Sequence, residues 1–122
     1  MANDFKRFAI PDVGTGTGAS ATTVYSVPAG SGSAALESIV IGITLANKST
    51  TGVTASVFLD NYDGTNDVYI IKDATIPAGS SLEVMSGNKI VVQNNGTTGD
   101  ILKVSSNTAT AIDATITVLE DV

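Results

Sequence analysis

Apolar and polar residues alternate with a period of two along most of this chain. In Leu36–Asn47, Ile39, Ile41, Ile43 and Leu45 alternate with Val40, Gly42, Thr44 and Ala46. Alternation of this kind, rich in β-branched residues, marks a strand with one buried face, and the heavier isoleucine and leucine set is expected to face the core. Val53–Asp60 repeats the device, with Val53, Ala55, Val57 and Leu59 inward and Thr54, Ser56 and Phe58 outward. Shorter runs at 23–27 (TVYSV), 81–85 (SLEVM), 89–93 (KIVVQ), 101–105 (ILKVS) and 114–119 (ATITVL) read as strands too. The run at 68–72 (VYIIK) is apolar on both faces, which predicts a central or covered position. SGN, at 86–88, predicts a hairpin between the strands on either side of it.

The same turn is written twice, VPAGS at 27–31 and IPAGS at 76–80, each after one apolar run and before another. Proline ends ladder pairing, alanine is small, and glycine opens backbone conformations closed to other residues. Such a turn is expected to carry the chain across the end of a sandwich from one sheet to the other. With about eight short strands, turns between them and no helical period, the chain is predicted to be all-β: a single antiparallel β-sandwich of jelly-roll type. Residues 1–22 are expected to form an N-terminal arm and a Gly/Thr-rich linker, VGTGTGASATT, with the sandwich spanning 23–122.

Composition sharpens this picture mainly by exclusion. At 122 residues the chain is long enough for one domain with a real core. Ser and Thr supply 28 residues and Gly 12, a balance that favours strands and turns. With no histidine and no cysteine, a Ser-His-Asp triad cannot be built, nor a zinc site of the usual kind. The net charge of −6, with six basic residues scattered along the chain, opposes nucleic-acid binding. The longest strongly apolar, charge-free run, at 38–47, is ten residues, well under the roughly 20 a membrane-spanning helix needs. The opening MANDFKRFAI is charged and short of apolar length, unlike a secretory signal.

Several stretches invite a chemical reading and carry little of it. Glu37, Glu83 and Glu120 sit at strand ends and are expected to be solvated rather than a carboxylate pair for glycoside hydrolysis. DNYDGTND, at 60–67, clusters oxygen ligands, but its glycine falls out of register with a calcium loop of the EF-hand kind. A looser calcium site from Asp60, Asp63 and Asp67 competes there with an ordinary Asp- and Asn-rich turn. GTGTG, at 14–18, lacks the GK[ST] and the flanking strand and helix of a phosphate loop. No enzymatic activity, metal or cofactor is expected.

Contact surfaces are the better candidates. Phe58 and Tyr69 are expected to be exposed aromatics that meet a partner. Phe5, Lys6, Arg7, Phe8 and Ile10 either pair as an edge strand at home or add a strand to a neighbour. The reach given by the Gly/Thr stretch behind them favours the second.

Nearly the whole chain resembles the small virion structural proteins of tailed bacteriophages, especially those of cyanobacterial and marine phages. The resemblance is carried by TTVYSVPAG, by IGITLAN at 41–47, by KDATIPAGSSLEV at 72–84 and by the closing ATITVLED at 114–121. It implies a non-enzymatic virion protein, assembled in the host cytoplasm and placed on the capsid exterior. The expected role is a head decoration, or cement, protein that binds the major capsid protein and other copies of itself, as a trimer or other small oligomer. Phe5, Lys6, Arg7, Phe8, Ile10, Phe58 and Tyr69 are the expected anchoring residues. A tail- or fibre-associated module is the structural alternative. A carbohydrate-binding host-attachment domain is the other, and it needs an aromatic platform from among Tyr25, Tyr62 and Tyr69.

Overall fold

The computed structural model describes residues 3–61, 67–85 and 89–121. The chain is all-β, with 61% of its residues in strands and two antiparallel sheets. The strands are β1 (Asn3–Ile10), β2 (Thr22–Ser26), β3 (Leu36–Asn47), β4 (Val53–Asp60), β5 (Val68–Ile76), β6 (Ser81–Glu83), β7 (Ile90–Asn94), β8 (Ile101–Ser106) and β9 (Ile112–Asp121). The first sheet runs β1-β9-β3-β6, with β7 also on β3; the second runs β2-β8-β4-β5. Between the two layers lies a core drawn from both, including Ile43 and Leu45 of β3, Ile116 and Val118 of β9, Val57 of β4 and Leu102 and Val104 of β8.

Both PAG turns cross between sheets. The first leaves β2 of the second sheet for β3 of the first, and the second leaves β5 for β6. Their glycines serve differently. Gly79 takes a left-handed φ of 70°. Gly30 lets the returning chain come close, since a Cβ there would lie 3.2 Å from the Ala34 carbonyl oxygen.

Three sequence expectations about strand placement change. The segment expected to reach out as an arm pairs at home: β1 lies antiparallel on β9 from Asn3↔Asp121 to Ile10↔Ala114. Its Phe8 and Ile10 give it an apolar face to lay on the core. The stretch behind it is no free linker. Val13 is fully buried, Gly14 accepts a hydrogen bond from Ser106 N, and Gly18–Ser20 forms a 3₁₀ turn. Second, the VYIIK strand lies at the edge of its sheet, with Val68 and Tyr69 exposed. Third, β6 and β7 do not pair with each other; both pair with β3, at Thr44–Ala46 and Leu36–Val40 respectively. The SGN step itself lies outside the described residues.

The alternation in β3 breaks at one residue. Ile43 and Leu45 face the core, as their parity predicts, but so does Val40, while Ile39 is only half-buried. The register shifts between Val40 and Gly42 against β9, leaving Ile41 as an extra residue. A bulge of this kind reverses which set of side chains points inward on either side of it.

Candidate functional site

The Ile41 bulge has a consequence on the outer face of the first sheet. There, register places Phe5 of β1 beside Leu119 of β9, Leu119 beside Ile39 of β3, and Ile39 beside Val91 of β7. Four apolar side chains thus form one row across four strands, and the end members Phe5 and Val91 are 71% and 56% exposed. Arg7 lies on the same face one step along, opposite Thr117. A contiguous apolar strip on an outer sheet face is the kind of surface that marks a protein contact.

Lys6, Phe8 and Ile10 belong to the other face of β1. Phe8 packs its ring 5.1 Å from that of Tyr25. Lys6 Nζ sits 3.0 Å from Oε1 of Glu120. Glu120, expected to be solvated, is 1% exposed. Its other oxygen accepts a 2.5 Å hydrogen bond from the Tyr25 hydroxyl, which also lies 2.8 Å from Ser38 Oγ. Tyr25 comes from β2 and the others from β1, β3 and β9, so this network ties the second sheet to three strands of the first. Burial, then the bond to Glu120, push the Tyr25 hydroxyl well above the ordinary tyrosine range. The hydrogen bond to Glu120 raises Lys6 as well.

The two aromatics expected on the surface part company. Phe58 is 1% exposed and Tyr69 is 44% exposed. Register pairs Phe58 with Tyr69 on one side and Lys103 on the other. The Tyr69 ring lies 5.3 Å from that of Phe58, tilted 41°, and Lys72 Nζ stands 5.1 Å from the Tyr69 centroid. Phe58 does point to the outer face, as its parity predicts, but its neighbours cover it. It forms part of the lining of a cleft of about 480 Å³, shared with Tyr69, Lys72, Asp73, Ser56 and Asn107. Thr15 and Thr17, from the packed Gly/Thr stretch, line it as well.

The structure therefore separates the candidate residues into groups. Phe5 and Arg7 lie on the outer face of the first sheet, Lys6, Phe8 and Ile10 on its inner side, and Phe58 and Tyr69 in the cleft of the second. Ile39, Leu119 and Val91 were missed because their partners come from distant parts of the chain. Among the described residues no group of three or more His, Cys, Asp or Glu is placed to hold a metal ion. Asp60 and Asp67 flank a stretch outside the described residues that includes Asp63, and Asp60 Oδ2 lies 3.8 Å from Lys103 Nζ.

Compared with protein-family models, with curated proteins and with solved structures, the chain matches none.

Proposed function

We propose that this protein is a virion structural protein that decorates the outside of a phage head, docking onto the capsid shell through the outer face of its β1-β9-β3-β7 layer. The observation that carries the reading is the Phe5–Leu119–Ile39–Val91 row, an apolar strip on a chain of net charge −6. Its burial against another protein would be favourable, while the acidic remainder resists indiscriminate sticking. Three of the five lysines are already engaged: Lys6 is held by Glu120, Lys48 by Asp12 and Asp113, and Lys103 lies against Ala19 O and Asp60. That arrangement supports a protein partner over a nucleic acid. Self-association into a trimer or other small oligomer belongs to the same proposal, since β1 ends its sheet and one of its edges has no partner strand among the described residues.

The test is co-sedimentation of the purified protein with phage heads that lack it. Wild-type protein is expected to saturate the heads, and the double variant Phe5→Ser/Val91→Ser to lose binding while keeping its melting temperature. Binding unchanged in that variant, or no binding of wild type to heads, overturns the proposal.

A further inference from the structure

The cleft on the second sheet is built in a way that a plain outer sheet face is not. Between the pairs Ala55↔Ala74 and Val57↔Ile71, β4 has the single residue Ser56 where β5 has two, Lys72 and Asp73. Between Val57↔Ile71 and Phe58↔Tyr69, β5 carries one more, Ile70. Two bulges in a few residues re-aim the side chains of β5 at the cleft. At the first of them Asp73 adopts a φ of 51°, uncommon for a residue other than glycine. Its N–H donates to Ser56 Oγ at 2.9 Å, and that hydroxyl lies 3.4 Å from Asp73 Oδ1. Strain of this sort persists where the surroundings over-determine it, and it concentrates at binding sites.

What the cleft offers a ligand is specific. Tyr69 supplies a half-exposed aromatic face backed by buried Phe58. Asp73 accepts hydrogen bonds, and Lys72, whose Nζ stands over the Tyr69 ring, donates them once a ligand takes its place on that face. Asn107 Oδ1 is occupied by Thr54 N and the Thr108 hydroxyl, so its amide NH₂ is the group left to donate. Ser56, Ser105 and Thr15 are among the hydroxyl residues that also line it. One carboxylate and one ammonium balance, so the cleft does not select a charged ligand, and a net charge of −6 disfavours an anion. An aromatic platform ringed by hydroxyl, amide and carboxylate groups suits a molecule with one apolar face and many hydroxyls. The volume of about 480 Å³ falls within the range of small-molecule sites, about 300–1,000 Å³.

We infer that this cleft binds a neutral hexopyranose unit of a glycan, stacked on Tyr69 with its hydroxyls bonded to Asp73, Lys72 and Asn107. The inference is independent of the docking proposal, because it uses the opposite outer face of the sandwich. Docking by the first sheet would leave the cleft open to solvent.

The experiment is an amide-resolved NMR titration of the full chain with the methyl pyranosides of glucose, galactose and mannose, up to about 100 mM, past the weak millimolar range. At least one sugar is expected to give saturable shifts confined to the stretches around 15–17, 54–58, 69–74 and 103–107. Tyr69→Ala is expected to weaken that binding about tenfold or more, as removal of an aromatic platform should. Asp73→Asn, which tolerates the same backbone conformation, is expected to weaken it while leaving the fold unchanged. Val91→Ser is expected to bind as wild type does. Absence of saturable shifts with all three sugars, shifts that map elsewhere, or full binding by folded Tyr69→Ala overturns the inference.

Discussion

Replacing Tyr25 by phenylalanine removes one oxygen from the network that ties the two sheets together. The ring can keep its place beside Phe8, so the change isolates the hydrogen bond to the Glu120 carboxylate. A hydrogen bond to a charged group contributes about 1.5–3 kcal/mol. Its loss here is not relieved by water, because Glu120 is buried. A Ser38 hydroxyl that turned to Glu120 would bring the loss toward the lower end. Unfolding entropy of about 2.1 cal/mol/K per residue over 122 residues gives about 0.26 kcal/mol/K, so the variant should melt about 6–12 °C lower.

The pH dependence gives a second readout with the opposite sense. The folded-state pKa of Tyr25 lies above the free value of 10.0. Its contribution is therefore complete below that value and is lost as pH rises toward the folded pKa. Above pH 10, this group alone should reduce wild-type stability by up to about 1.4 kcal/mol per pH unit. The phenylalanine variant lacks that contribution, so its stability should fall less steeply and the two curves should converge with rising pH. Thermal melting of both proteins at pH 7, with urea unfolding from pH 7 to pH 11.5, measures the two effects. Melting temperatures within about 2 °C of each other, together with parallel pH curves, would refute the reasoning.

Two further outcomes follow from the geometry. Phe58→Ala should cost about 3–5 kcal/mol in urea unfolding, as for a fully enclosed ring; a cost under about 1 kcal/mol would mean the ring is a surface residue after all. Asp113 is held below the usual carboxylate range, first by its hydrogen bond from Lys48 and then by the N–H of Asp12. Its contribution is present above the free carboxylate pKa and is lost as pH falls through the folded one. Asp113→Asn should therefore show a shallower loss of stability than wild type on acidification below about pH 4, and a steeper acid limb would contradict the pairing.

Much of the layer architecture was legible because it depends on local pattern. β3 and β4 begin and end where their alternation does, and both PAG turns cross between sheets. What escaped depends on contacts far apart in sequence. Parity put Ile39 inside, and a one-residue bulge at Ile41 places it in the apolar row. Parity put Phe58 outward, correctly, but its cover comes from β5 and β8, strands whose register no local pattern shows. Phe5 to Ile10 looks like a free arm until β9, at the other end of the chain, is laid beside it. Glu120 reads as a solvated strand end because its partners, Lys6 and Tyr25, lie on two other strands. The cleft needs two bulges in β5, and the left-handed Asp73 leaves no mark in the sequence KDATIP.

The claim that this is a shell-docking sandwich meets its most direct test in a cryo-EM map of the phage particle at side-chain resolution. The account predicts many ordered copies on the head exterior, with Phe5, Ile39, Val91 and Leu119 buried against the capsid protein and the Tyr69 cleft facing solvent. Copies confined to the tail, or seated on the head by the face that holds Tyr69, would contradict it.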